Sequence, residues 1–150
     1  MIIYFGIGTN LGDREVNLSE ALRLLDERVG QQLASSSIYR SAPQGFLSEN
    51  EFANIVVAYH TTYSLEDLLL ITQKIEQEMG RTEKSINGIY HDRVIDIDLL
   101  KATHHSSLTT HHSSLITHHS SNLTLPHPRM QERDFVMIPL KEVEDILNSK

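Results

Sequence analysis

The chain has 150 residues, 39% of them hydrophobic, and a formal charge of −7 from 13 basic and 20 acidic side chains. That supports one domain with its own core, and the acidic balance excludes a general binder of nucleic acid or anionic membrane, which would carry a basic surface. Cysteine is absent, which excludes a disulfide framework and a thiolate nucleophile and is compatible with a reducing compartment.

Met1 to Gly8 lacks the basic flank and apolar length of a signal peptide, and no later apolar stretch approaches membrane length, so a soluble cytoplasmic protein is expected. Ile2 to Gly8 predicts a strand, and Asn10-Leu11-Gly12-Asp13 is turn chemistry leading into helical spacing at Leu18, Ala21, Leu22, Leu25 and Val29. Gln32 to Arg40 predicts a second strand, Ser41 to Asn50 a polar loop with Pro43 and Gly45, and Phe52 to Thr62 a strand rich in Val, Ile and Tyr. Those last two strands would pair antiparallel around the long loop.

Ser64-Leu65-Glu66-Asp67 resembles a capping box, and Leu65, Leu68, Leu69, Thr72, Ile75 and Met79 continue one apolar face until Gly80 supplies a stop. Arg81 to Asp92 has no clear period and contains Asn87-Gly88; it reads as a loop of about a dozen residues, a length more often functional than idle. Val94 to Leu100 predicts a strand, and Asp134 to Leu147 a helix that Pro139 should kink or divide. The sum is an α+β fold over residues 1–150: a ferredoxin-like βαββαβ core, a mainly antiparallel sheet with helices packed on it, and a C-terminal helical addition.

Thr-His-His-Ser-Ser recurs at Thr103 to Ser107, Thr110 to Ser114 and Thr117 to Ser121, a seven-residue period holding six of the nine histidines. Clustered imidazoles bind zinc, nickel or copper ions. The plainer reading is a low-complexity insert with too few apolar residues to demand a packed core.

The sharpest local signal is Asp92-Arg93-Val94-Ile95-Asp96-Ile97-Asp98-Leu99-Leu100. Side chains alternate along a strand, so Asp96 and Asp98 share one face with Cα atoms ~7 Å apart, while Ile95, Ile97 and Leu99 face the other way. Such a carboxylate pair suits Mg²⁺, which keeps waters and completes its shell with nucleotide phosphates; a solvated acidic face on an edge strand is the alternative. Arg93 adds a guanidinium fit for bidentate phosphate contact. A second cluster, Leu125-Pro126-His127-Pro128-Arg129-Met130-Gln131-Glu132-Arg133-Asp134-Phe135, is dense in Pro, His and Arg. Gly6, Gly8 and Gly12 follow a strand and precede a helix, but G-x-G-x-x-x-G is not the dinucleotide spacing.

In combination, Gly6-Ile7-Gly8-Thr9-Asn10-Leu11-Gly12-Asp13, Asn54 within Phe52-Ala53-Asn54, Gly80-Arg81, Asp92-Arg93 to Asp98, and Leu125-Pro126-His127-Pro128-Arg129-Met130 stand in the order and approximate spacing of one family. The chain resembles the 6-hydroxymethyl-7,8-dihydropterin pyrophosphokinases over about residues 1 to 100 and 122 to 140. The resemblance implies an enzyme of folate biosynthesis in which the pterin hydroxymethyl oxygen attacks the β-phosphorus of MgATP and AMP departs.

It further implies that Asp96 and Asp98 bind two Mg²⁺ ions, and that Arg81 and Arg93 clamp phosphates beside them as catalytic residues. Glu76, Lys84, His127 and Arg133 would join Arg81 and Arg93 around ATP, Glu76 otherwise being an exposed helix carboxylate beside Lys74. Gly8, Thr9, Asn10, Ser41, Ala42, Pro43 and Gln44 would line the pterin edge, Asn54 would pair with the ring, and Phe52 and Phe135 would sandwich its faces. The loop Arg81 to Asp92 would close over substrates, with Tyr90 the nearest equivalent of a loop aromatic. Between Asp98 and Pro126, where the family has a short β-hairpin, this chain has the longer His-Ser-Thr repeat. A monomer needing neither nucleic acid nor membrane is expected; the other classes left open are a non-catalytic pterin- or nucleotide-binding domain and a His-rich metal-binding protein.

Overall fold

A strand that is apolar on both faces must be covered on both, and β1 (Ile2–Thr9) is such a strand: Ile3, Phe5 and Ile7 are buried on one side, Ile2 and Tyr4 on the other. The computed structural model describes residues 1–41, 51–80, 94–104 and 115–149. In it, β1 lies between β4 (Phe52–His60) and β5 (Asp96–Thr103), antiparallel to both. β2 (Gln31–Ser35) and β3 (Tyr39–Ser41) pair with β4, and β6 (Leu115–Ile116) joins the far edge, giving the order β2-β4-β1-β5-β6 with β3 beside β4. With α1 (Arg14–Arg28) and α2 (Leu65–Glu78) between the strands, this is the expected antiparallel βαββαβ arrangement.

The two helices cover one face. Leu18, Ala21 and Leu25 of α1 and Leu68 and Ile75 of α2 pack on Ile3, Phe5, Ile7, Val57, Tyr59, Ile97 and Leu99. Both helices begin where the turn chemistry places them: Asp13 accepts from the Val16 amide at 3.1 Å and Ser64 from the Asp67 amide at 3.2 Å, filling donors a helix start leaves open. α2 ends at Gly80, whose φ of 99° is left-handed. The opposite face takes α3 (Asp134–Asn148), whose Val136, Leu140, Val143 and Leu147 pack on Ile2, Tyr4, Val56, Ala58 and Leu100.

Two expectations need correction. The strand expected over Gln32 to Arg40 is broken, because serine side chains replace its ladder. The Ser36 amide donates to Val56 O at 2.9 Å while the Ser36 hydroxyl accepts from the Val56 amide at 3.0 Å; Ser37 turns outward, its amide and hydroxyl donating to the Glu142 carboxylate of α3. Pro139 does not divide the last helix, which runs unbroken from Asp134 to Asn148. A proline in a helix interior costs about 3 kcal/mol locally, and the buried face made by Val136, Pro139, Leu140, Val143 and Leu147 outweighs it. The strand expected over Val94 to Leu100 is found at Asp96–Thr103.

The third copy of the His repeat forms β7 (His118–His119), which pairs with β8 (Thr124–Leu125) as a separate two-stranded ribbon. Residues 105–114 lie outside the described residues.

β5 carries a bulge. Tyr4 pairs with Lys101 but Phe5 with Leu99, so Leu100 is the extra residue, and Leu100 and Lys101 both serve the α3 face. Lys101 thereby reaches Glu144 of α3 at 2.6 Å and lies 4.9 Å over the Tyr4 ring, with 15% of its side chain exposed. Burial first, and the Glu144 charge second, hold the Tyr4 hydroxyl well above the usual phenol range.

The tightest backbone approach is at Gly30, where a Cβ would lie 2.1 Å from His60 O. Gly30→Ala is expected to destabilise the fold by on the order of 2 kcal/mol or more, as β2 is pushed off β4; urea unfolding followed by circular dichroism measures it, and an unchanged midpoint contradicts the packing described.

Candidate active site

Directly opposed residues of antiparallel strands share a face. Gly8 is opposed to Asn54 on one side and Asp96 on the other, and Asn54 in turn to Tyr39, so one row runs Tyr39, Asn54, Gly8, Asp96. The next row runs Val56, Gly6, Asp98. Two glycines thus form a side-chain-free floor, with an amide along one border and the aspartates along the other. Asn54 and Asp96 are two strand spacings apart, roughly 10 Å. The floor continues the sheet face that α3 covers through Ile2, Tyr4 and Ala58; Val56 and Leu100 beside Gly6 still belong to that packed cluster, and the Gly8 row lies beyond it.

A side chain at either glycine would have to displace a neighbouring side chain. A Cβ at Gly8 would stand 2.7 Å from Asn54 Oδ1 and 3.9 Å from the Phe52 ring, and one at Gly6 3.3 Å from the Leu100 side chain. Asn54 is 6% exposed, and its Nδ2 donates to Ser41 Oγ at 3.1 Å and to Tyr39 O at 3.5 Å. Its amide is therefore oriented with the donor toward β3 and the acceptor oxygen toward Gly8. Phe52 begins β4 on the same face as Asn54, opposite Ser41.

The carboxylate border is built by β5. Asp96 and Asp98 are half-buried while Ile97 and Leu99 are buried on the helix side, so the alternation expected for this stretch holds. Glu76 is neither exposed nor beside Lys74 in solvent: it is 4% exposed, and its Oε2 accepts from the Ile97 amide at 2.7 Å, gripping the strand between the two aspartates. Farther along, the His127 amide donates to Leu100 O at 2.7 Å, which docks the Pro-His-Pro segment against the bulge after a cis Leu125-Pro126 bond. A 3-10 turn at Met130–Glu132 then leads to Arg133, whose guanidinium lies 5.7 Å from the Phe135 ring at the start of α3. Phe135 packs partly against the α3 core.

Of the residues singled out in the sequence, Gly8, Ser41, Phe52, Asn54, Asp96 and Asp98 come together on one face. Thr9 and Asn10 are fully buried, and Thr9 Oγ1 accepts from Asn17 Nδ2 at 3.2 Å, so Thr9 turns toward α1 and leaves its backbone nearest the floor. Ala42, Pro43, Gln44, Arg81, Lys84, Tyr90 and Arg93 lie outside the described residues. Gly6 went unassigned in the sequence reading, although its two-residue spacing from Gly8, matching that of Asp96 and Asp98, is the signal that could have found it.

The donor set can be tested against a metal. Among the described residues no group of three or more His, Cys, Asp or Glu side chains forms a complete cage. Two carboxylates on one strand face, with an open glycine floor beside them, fit a hard divalent ion that keeps waters and takes phosphate oxygens; a zinc site would need more protein ligands.

Residues 4–145 match the sequence pattern described as 7,8-dihydro-6-hydroxymethylpterin-pyrophosphokinase. The chain belongs to this family. It is 47% identical over 142 residues to the 2-amino-4-hydroxy-6-hydroxymethyldihydropteridine pyrophosphokinase of Porphyromonas gingivalis, covering 95% of this chain and 90% of that protein. The Bacillus subtilis enzyme of the same name is 36% identical, with 95% and 77% covered. The Folic acid synthesis protein FOL1 of Dictyostelium discoideum is 34% identical over 142 residues, 95% of this chain and 19% of that protein. A crystal structure of HPPK-DHPS in complex with substrates superposes with a TM-score of 0.65 at 17% identity, over 97% of this chain and 40% of that one, a likeness of fold. This pyrophosphokinase is accordingly an enzyme of folate synthesis that transfers pyrophosphate from ATP to the hydroxymethyl dihydropterin.

Gly8→Ala should displace the Asn54 amide and weaken pterin binding by about tenfold to a hundredfold, the ~1–3 kcal/mol of an overpacked site, with MgATP binding nearly unchanged. Fluorescence titration of each substrate checks this; equal loss of both would mean that the floor collapses as a whole.

Proposed function

We propose that transfer takes place across the glycine floor, with the pterin ring at the Asn54 border and the ATP phosphates at the Asp96 and Asp98 border. The observation that carries this is the single row Asn54, Gly8, Asp96. A hydroxymethyl arm extending from a ring at Asn54 would cross the floor to reach phosphates at the aspartates, and a side chain at Gly8 would push on the Asn54 amide at the start of that path. Asn54 Oδ1, aimed at Gly8, would accept from a pterin ring N–H, while Ser41 holds the amide from behind. Phe52 and Phe135 would stack on the ring. The backbone of Gly8, Thr9 and Asn10, with Ser41, Ala42, Pro43 and Gln44, would complete the pterin edge.

On the phosphate side Asp96 and Asp98 would hold two Mg²⁺ ions, which neutralise phosphate charge and make the attacking hydroxyl easier to deprotonate. His127 and Arg133 would approach the triphosphate from the segment docked on the β5 bulge, whereas Glu76, buried on the helix side and bonded to the Ile97 amide, would serve the nucleotide side only through the strand it holds. Arg81, Lys84 and Arg93 would supply further cationic contacts, a reading that rests on their place in the sequence. In the reaction the hydroxymethyl oxygen bonds to the β-phosphorus, the bond from that phosphorus to the α,β-bridging oxygen breaks, and AMP leaves while the hydroxyl proton is released. Positioning and charge neutralisation suffice for such a transfer.

The reading extends to a single domain containing the 103–121 repeat, working as a monomer in the cytoplasm without nucleic acid or membrane. The acidic charge of −7 weighs against nucleic acid as a partner, and no described helix is long and apolar enough to cross a membrane.

Asp96→Ala should lower pterin-dependent AMP release from MgATP by at least about a hundredfold, roughly the ~3 kcal/mol typical of a lost electrostatic contact to the reacting group, while the protein still binds pterin. Pterin-dependent AMP at the unchanged rate would overturn the aspartate assignment, and a folded, pterin-binding wild-type chain that releases none would make it a non-catalytic binding domain.

A further inference from the structure

β5 is paired with β1 along its length, and among the described residues its outer edge meets a strand where Ala102 and Thr103 pair with β6. Ahead of that point, at Ile97, the outer-edge amide is met by a side chain: the carboxylate of Glu76, 2.7 Å away and 21 residues earlier in the chain. Glu76 comes from the same buried face of α2 as Leu68, Thr72 and Ile75, where an apolar residue would extend the helix packing. Burying a carboxylate among them is unfavourable unless it is hydrogen-bonded, so what it grips matters. Ile97 stands between Asp96 and Asp98, with its side chain on the helix side and theirs on the site face.

We propose that Glu76 is the positioning residue of the Asp96 and Asp98 pair, which rests on the metal reading of those aspartates given above. Fixing the Ile97 amide fixes the orientation of the Asp96–Ile97 peptide plane, and with it the direction in which the Asp96 carboxylate leaves the strand. With its outward amide bonded to a side chain, the strand is held here against the twist and register shift to which edge strands are prone. Glu76 acts through the backbone from the opposite face of the sheet, and the pterin border at Asn54, two strands away on β4, does not depend on it.

The test compares the wild type with Glu76→Leu, Glu76→Gln and Asp96→Ala. Amide exchange at Ile97 is followed by NMR in the metal-free protein, and Mn²⁺ binding is measured by calorimetry with a non-hydrolysable ATP analogue. Glu76→Leu is expected to accelerate Ile97 exchange and weaken Mn²⁺ binding by about tenfold to a hundredfold, the range for partners that orient metal ligands, with pterin affinity unchanged. Glu76→Gln, whose amide oxygen still accepts, should keep Ile97 protected and stay within about threefold of the wild-type metal affinity. Glu76→Met makes the same deletion in a more adaptable side chain should the leucine variant fail to fold.

Wild-type Mn²⁺ affinity in Glu76→Leu, with Ile97 exchange raised and Asp96→Ala binding lost, would overturn the positioning role and leave Glu76 a cap on the strand edge. Loss of metal affinity in Glu76→Gln with Ile97 still protected would overturn it too, since charge rather than the hydrogen bond would then be acting. Undiminished Mn²⁺ binding in Asp96→Ala would remove the metal reading itself, and the proposal with it.

Discussion

Antiparallel pairing of β1 with β4 on one side and β5 on the other is the constraint from which the rest of this protein is arranged. Because the side-chain period of a strand is two, that register brings Asn54, Gly8 and Asp96 into one row and Val56, Gly6 and Asp98 into the next. A slip of one residue on either side would send the amide or the carboxylates to the face that α1 and α2 bury. The apolar residues of β1 hold the register, since Ile3, Phe5 and Ile7 must face those helices while Ile2 and Tyr4 face α3. Core and site are thus set by the same hydrogen-bond ladder, and the glycines occupy the stretch where the α3-covered face gives way to the site.

The site borders are held by polar groups acting from the sides and from behind. Ser41 orients the Asn54 amide, Glu76 grips the strand between the aspartates, and the His127 amide meets the bulged Leu100 carbonyl. The bulge has a second consequence, bringing Lys101 to the α3 face, where Glu144 and the Tyr4 ring receive it. A partly buried ion pair of this kind stabilises little by itself, because desolvation offsets its attraction, but it disfavours alternative placements of the helix. α3 is also tied to the β2–β3 connection through Glu142 and Ser37. α3 is therefore tied to the sheet both at β5 and at the β2–β3 connection.

Much of this is legible in the amino-acid sequence. The apolar run of β1, the caps at Asp13 and Ser64, the face of α2 and the two-residue alternation of Asp96 and Asp98 are local patterns, and each appears where the spacing placed it. The failures share one cause. Ser35 to Ser37 reads as strand because the backbone is compatible with one, but the choice between ladder and side-chain bonding was made by Val56 and Glu142, distant in sequence. Pro139 reads as a break because local geometry disfavours it, yet the buried face of α3 carries the helix through. Glu76 was open to an exposed reading because helical spacing alone does not reveal what lies beyond the end of a sheet.

Periodicity, caps and motif spacing along the chain carry β1, β4, α1, α2, the βαββαβ succession and the family, because each of those signals is local. Only the tertiary structure decided that Asn54 and Asp96 stand two strands apart over a glycine floor, that Thr9 turns to the helices, that Lys101 crosses to α3 by way of a bulge, and that Glu76 is buried against Ile97. Each of these depends on how separate elements pack against one another. Register and packing, which no local pattern encodes, choose among the faces a side chain can occupy.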